Sequence, residues 1–250
     1  MKKISLYTII IATTSLMMIT SCLDTDLDGI VPVSENAKSL PDKTNAYDPT
    51  IEPKGLHGKT ITDWTKEWWR YVMSFDCANN PLNLPYLSSP ATQLGQVVFL
   101  VGTNDGMATR NIEVSGEKAL FVPIINVLRD YPGAYLHGLP APGQSVEQFL
   151  KIEAANYINQ ATNMKAVLDG RIVKITKQNR FATDQFYFKS NKDLKNCMDA
   201  TLTGQPQVAV SDGYWIILQK LNPGRHTLRV HAEILQTGIV IDVVYNLFVR

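Results

Sequence analysis

Catalytic signatures are the first thing the 250-residue chain lacks. Cysteine occurs three times and histidine four, and no two cysteines form a C-x-x-C pair. H-E-x-x-H, a P-loop and G-x-G-x-x-G are missing too, so nothing local points to a metalloprotease helix, a phosphate cradle or a dinucleotide site. Gly143-Gln144-Ser145-Val146-Glu147 lacks the second glycine of a nucleophile elbow and reads as a helix cap instead. A charge of one sign is lacking as well. The formal balance is +1 and turns to about −1 once Lys2 and Lys3 are removed, too weak a field to recruit nucleic acid. There is no internal repeat and, beyond the start, no long apolar run. No cofactor is expected.

What is present begins at the start. Met1-Lys2-Lys3 precedes a short apolar stretch through Ile4, Leu6, Ile9–Ile11 and Leu16–Ile19, the build of a secretory signal. The run stops near the lower limit for a bilayer-spanning helix. Ile19-Thr20-Ser21-Cys22 resembles the lipobox of bacterial lipoproteins. That resemblance implies a signal over 1–21, a diacylglyceryl group on the Cys22 thiol and an acylated new amino terminus. Several acyl chains make a lasting anchor, since each buried CH₂ adds about 0.8 kcal/mol. Leu23 rather than Asp after the cysteine favours the outer membrane of a bacterial envelope, by analogy with lipoprotein sorting.

Residues 22–59 form an expected tether. Over 22–52 seven acidic side chains stand against Lys38 and Lys43, and Pro32, Pro41 and Pro49, with Pro53 just beyond, interrupt any periodicity, so little apolar surface offsets the entropy of ordering. Asp24, Asp26, Asp28-Gly29 and Glu35 match the loose Ca²⁺-loop spacing D-x-D-x-D-G-x₅-E. Leu27 and Pro32 at the fourth and ninth positions disfavour it, and an acidic spacer is the plainer reading; no metal is expected. Cys77 and Cys197 are left as a candidate disulfide in an oxidising compartment, or as two buried thiols.

The 60–250 region reads as mainly β with two inserted helices, an antiparallel β-sandwich in one domain. Thr60–Asp63 caps a helix whose Trp64, Trp68, Val72 and Phe75 make one apolar stripe. Ser145 with Gln148 is a capping box that opens a second helix, expected to run to Leu168. Gln96–Val101 and Lys118–Ile125 are apolar runs typical of strands buried on both faces. Gln207–Gln219 reads as a hairpin turning at Ser211-Asp212-Gly213. Two more strands, Thr227–Ile234 and Ile239–Val249, close the chain.

Trp64 and Trp68 belong to the core face. Trp69 lies about 100° further round the helix, with Arg70 and Tyr71 beside it, and is the expected ligand contact together with Tyr71. His231 and Glu233 share one face of a strand, as a metal or acid–base pair would, although cross-strand pairing explains them better. The pattern Trp64-x₃-Trp68-Trp69, Asn80-Pro81, Gln93-x-Gly95-x-Val97-x-Phe99-Leu100-x-Gly102, Arg110, Lys118–Phe121-x-Pro123–Asn126 and Leu221-x-Pro223-Gly224-x-His226 resembles a family of exported proteins of unknown function. That resemblance implies an exported single domain. Arg110, Lys118 and Asn126 form a polar set suited to a pocket wall. The expected function is a non-enzymatic lipoprotein that binds a glycan or protein partner of the envelope, or serves a structural role there. The competing expectation is a hydrolase of envelope polysaccharide or peptidoglycan, with carboxylates scattered through the sequence.

Overall fold

The computed structural model describes residues 55–88, 93–104, 106–133, 138–219 and 221–250. The signal-like start, Cys22, and Asp24, Asp26, Asp28 and Glu35 lie outside the described residues, which belong to one compact unit. In chain order the elements are α1 (Ile61–Val72), β1 (Tyr86–Ser88), β2 (Gln93–Leu94), β3 (Val97–Phe99), β4 (Gly106–Val114) and β5 (Ala119–Tyr131). Then come α2 (Val146–Ile158), β6 (Ala161–Leu168), β7 (Arg171–Val173), β8 (Arg180–Ala182), β9 (Phe186–Lys189), β10 (Pro206–Leu218), β11 (Gly224–Ile234) and β12 (Ile239–Val249). No helix among the described residues is long and apolar enough to cross a membrane.

The strands form two sheets, ordered β1-β4-β12-β11-β6-β7 and β2-β3-β5-β10-β8, with β9 also on β10. They pack as a β-sandwich. Both sheets are mixed rather than purely antiparallel, because β4 runs parallel to β1 and β12, and β3 parallel to β5. The chain leaves β3 in the second sheet and crosses to β4 in the first, and such a crossing between sheets sets neighbours side by side without a hairpin.

The second sheet is buried on both faces. Val98, Leu100, Leu120, Val122, Ile216 and Leu218 meet the inner face of the first sheet, and Phe149, Leu150, Ala154 and Ile158 of α2 complete this core. Val97, Phe99, Phe121, Trp215 and Ile217 point the other way and meet Trp64, Trp68, Trp69 and Val72 of α1. Such double burial is why these strands read as continuous apolar runs. Thr60 and Asp63 cap α1 reciprocally, and Ser145 and Gln148 cap α2. Leu56 is buried in the α1 core and its carbonyl accepts from Trp64 Nε1 at 2.8 Å. The folded part therefore begins before Thr60, inside the expected tether.

Two local readings are corrected. The second helix stops at Ile158, and Ala161–Leu168 is strand β6, paired with β11. Ala161, Met164 and Leu168 fit a helical stripe, but Ala166 and Leu168 are the buried pair, and a spacing of two is what a strand presents. Asp212-Gly213 does not turn: β10 runs unbroken from Pro206 to Leu218. Asp212 is buried and takes a bidentate ion pair from Arg180, whose Nη2 lies 2.6 Å from Oδ2. Gly213 is required by crowding, since a Cβ there would lie 2.6 Å from Asn126 Cβ and 2.6 Å from the Ile125 carbonyl oxygen.

Candidate functional site: a seam along the edge of β5

β5 has β10 on one side from Leu120 to Tyr131. On the other side β3 pairs only with Ala119–Phe121. From Val122 to Tyr131 no strand among the described residues covers that edge. The chain leaves β3 through Leu100–Asn104 toward the first sheet, and the gap it opens is a cavity of about 250 Å³. Consecutive residues of β5 line it, Ile125 to Asp130, as befits a cavity set on the strand's edge. Trp69 and Met73 of α1, Tyr157 of α2, Thr103, Asn104, Met198 and Asp199 close it.

The direction of the free backbone groups follows from the ladder. The Leu100 N–H donates to the Phe121 carbonyl at 3.0 Å, so Phe121 faces β3. The Thr183 N–H donates to the Ser211 carbonyl at 2.8 Å, so Ser211 faces away from β5. By alternation Tyr214, Asp212, Val210 and Val208 face β5, opposite Ile125, Val127, Arg129 and Tyr131. Asn126, Leu128 and Asp130 consequently turn their N–H and C=O groups toward the cavity. A β-bulge sets this phase: Tyr214 pairs with Ile125 but Trp215 with Pro123, leaving Ile124 as the extra residue. Bulges recur beside functional sites because they re-aim a strand.

The cavity's polar groups are unevenly matched. Asp130 is buried, and its carboxylate accepts from Gln207 Nε2 at 2.6 Å, from the Gly133 N–H and from its own N–H. Burial, and then the nearby Asp199 carboxylate, push its pKa up to about 6 against those hydrogen bonds. Gly133 permits the approach, since a Cβ there would lie 2.7 Å from Asp130 Oδ1. Asp199 accepts from the Thr201 N–H at 2.8 Å and from its hydroxyl at 2.6 Å. Burial pushes the Arg129 guanidinium down, opposed by Tyr157, Glu153, Asp130 and Asp199, and its Cζ sits 5.0 Å from the centre of the Tyr157 ring. Arg129 Nε and Asn126 Nδ2 are buried donors without a hydrogen-bond partner. Each such donor leaves a desolvation cost of about 1–3 kcal/mol that an acceptor would relieve.

Of the residues expected at a site, Trp69 and Asn126 meet at this cavity and the others do not. Trp69 is buried rather than half exposed, at 8 % relative exposure, and its Nε1 donates to Ser211 Oγ at 2.7 Å. The helix lies under the second sheet, so both sides of its tryptophan ridge are covered. Tyr71 stacks edge-on against Phe75 at 5.0 Å and packs on Phe99. Lys118 precedes β5 at the opposite end of the strand. Arg110 is not a pocket wall. It is fully buried and donates to five backbone carbonyls, Val101 at 3.1 Å, Leu84 at 2.8 Å, Pro81 at 2.9 Å, Gly102 at 2.6 Å and Thr109 at 3.4 Å. No carboxylate among the described residues pairs with it, and burial lowers its pKa. Its role is to pin the crossing segment that borders the seam.

Cys77 and Cys197 are joined as a disulfide, with Cα atoms 5.9 Å apart, and this fixes the loop carrying Met198 and Asp199. His231 Nε2 lies 3.1 Å from Glu233 Oε1 and Nδ1 lies 3.6 Å from Asp242 Oδ2. Asp242 is held by Arg229 and Glu233 by Asn163, a cross-strand network on the outer face of the first sheet. His226 bridges the Asp169 carboxylate at 2.6 Å and the Asn222 carbonyl at 2.8 Å, a link its sequence position does not suggest. No group of three or more His, Cys, Asp or Glu among the described residues is placed to hold a metal ion.

Arg129, Asp130, Asp199 and Gly213 are the site residues that sequence reasoning misses. Their only signal is a charged Arg-Asp pair closing a long apolar run, and an Asp-Gly pair that reads as a turn. No protein-family model, curated protein or solved structure matches the chain.

Proposed function

We propose that the chain is an envelope lipoprotein, anchored through Cys22 in the outer membrane, whose sandwich domain binds a protein partner at the β5 seam without turning it over. The observation that supports this best is the cavity itself: an apolar wall and a few convergent polar groups carried on rigid strands, the usual composition of a binding site. A glycan is the weaker choice of ligand, because Trp64, Trp68 and Trp69 are all buried and their indole N–H groups are taken, leaving no stacking platform there for a sugar ring. The acidic stretch behind Cys22 serves as the spacer that lets the seam reach its partner.

A photo-crosslinking side chain at Asn104, exposed beside the cavity, tests the reading in intact cells. Discrete protein adducts that vanish with Asn126→Ala are expected; adducts unchanged by that substitution would overturn it. The anchor is tested separately, by loss of radioactive palmitate and of membrane association in Cys22→Ala.

One observation favours hydrolysis as a second reading. Asp130, with its pKa pushed up to about 6, and Asp199 line one cavity, and two carboxylates in unlike surroundings are the usual acid–base arrangement. Release of reducing ends from envelope polysaccharide, abolished by Asp130→Asn, would support that reading over binding.

A further inference from the structure

We propose that the partner enters the seam as an extended peptide, added as a strand to the free edge of β5, with a Lys or Arg side chain set beside Asp130 and Asp199. The inference rests on the reading of the seam as the partner site and names what that site accepts.

Three observations carry it. The first is the edge. Beyond Phe121 no described strand covers β5 on the β3 side, and the ladder turns the backbone groups of Asn126, Leu128 and Asp130 outward. An uncovered edge is a template for another chain; at Asp130 the carboxylate takes its own N–H, so Asn126 and Leu128 remain to pair. The second is the cavity, which runs along this same edge and takes lining from consecutive residues of the strand. In strand addition the backbone supplies affinity while alternate side chains fill flanking pockets. The third is charge. The Asp199 carboxylate raises the cost of ionising Asp130, and of the nearby cations Arg129 neighbours Asp130 in sequence and so projects from the opposite face of β5. Asp130 meets Gln207 of β10, the Gly133 N–H and Asp199, none of them cationic, and Glu153 of α2 adds further negative charge near Arg129. Arg129 acts on both carboxylates only through space, and no cation among the described residues forms an ion pair with either; a basic side chain on the incoming strand supplies that direct partner.

The test uses the full chain in detergent micelles and a phage-displayed library of random dodecapeptides. Enriched peptides should be basic and rich in β-branched residues. In a synthetic copy of one of them, N-methylation should weaken binding roughly tenfold or more at alternate residues of one parity and leave the other parity unchanged, the loss expected for a missing backbone hydrogen bond in a dry site. Replacing its key Lys by norleucine should cost a similar factor, and affinity should fall as pH drops through about 6, where Asp130 takes up a proton. On the protein side Leu128→Pro should abolish binding by the fraction that remains folded, because an outward N–H on an edge is one that proline can lose, while the lost packing of Leu128 on the α1 core lowers the unfolding midpoint. Hydrogen exchange keeps the idea testable if that variant misfolds: the Asn126 and Leu128 amides should exchange faster than those of Val127 and Arg129, and should slow when peptide binds.

Binding that ignores N-methylation yet is lost in Asn126→Ala overturns strand addition and leaves the seam as the partner site. Slow exchange at Asn126 and Leu128 in the free protein overturns it as well. A library that yields no peptide whose binding is lost in Asn126→Ala overturns the peptide as occupant, and the crosslinks from Asn104 then decide the broader reading by themselves.

Discussion

The two ends of β5 share one strand and one partner, β10, yet sit in different company. At its start Leu120 and Phe121 have strands on both sides and packing on both faces. Phe121 stacks on Trp215 at 4.7 Å, and Trp215 meets Trp68 edge-on at 5.3 Å. At its end Asn126–Asp130 keep β10 but lose the other neighbour, and polar side chains replace the apolar run. Apolar residues fill the half whose backbone is fully paired, and titratable residues gather where one edge stays open. Stability and recognition are thus divided along a single strand.

The largest expected effect breaks the closed end. Trp215→Ala should destabilise the fold by about 3–5 kcal/mol, the usual cost of emptying a large aromatic site. Chemical denaturation measures the loss. Partner crosslinking from Asn104, scaled to the folded fraction, should be unchanged if the two ends are separate.

Next comes the loop that closes the open end. The Cys77–Cys197 bridge spans 120 residues, and its reduction should cost about 2–4 kcal/mol. Because Asp199 lies just beyond Cys197, reduction should also speed amide exchange around residues 193–202 more than in β3 or Ala119–Phe121. Uniform acceleration across the domain would contradict the division.

The sequence makes the closed end legible and the open end nearly opaque, for a physical reason. Double burial leaves a mark on composition, as in Val97–Val101 and Ala119–Ile125, and the capping boxes at Thr60 and Ser145 mark helix starts by local chemistry alone. An open edge leaves none, because it depends on where β3 stops pairing and crosses to the other sheet. Asp212-Gly213 carries the pattern of a turn, but crowding against Asn126 and the ion pair with Arg180 decide its role. Arg110 looks like a ligand-binding cation, and only the fold supplies the five carbonyls that occupy it. Met164 and Leu168 satisfy two periodicities at once, and pairing with β11 selects the strand.

A third effect sharpens the contrast through pH. Asp130 has a folded pKa near 6, above the ordinary value of about 3.9 in an unfolded chain. The neutral carboxyl is the form the fold tolerates, so the associated stability is fully present below about pH 4 and is lost as pH rises through about 6. The amount is on the order of 3 kcal/mol. Asp130→Asn should remove this dependence and leave the variant more stable than the parent at pH 8 but not at pH 4. Parallel stability curves for the two proteins would show that Asp130 is not the strained carboxylate.

The smallest expected effect is the most discriminating. Lys118 precedes β5 at the closed end, and Asn126 lies at the open end beside Gly213. Lys118→Ala removes a full charge, yet it should shift stability by no more than about 0.5 kcal/mol and leave crosslinking from Asn104 intact. Asn126→Ala changes no charge and should abolish crosslinking, since Asn126 brings both an outward backbone and an unpaired side-chain donor to the cavity. If binding followed net charge over the whole surface, the lysine variant would be the more damaging of the two. The opposite ranking means that recognition depends on which edge of the strand is open, and that a charge counts only where the ladder leaves room for a partner.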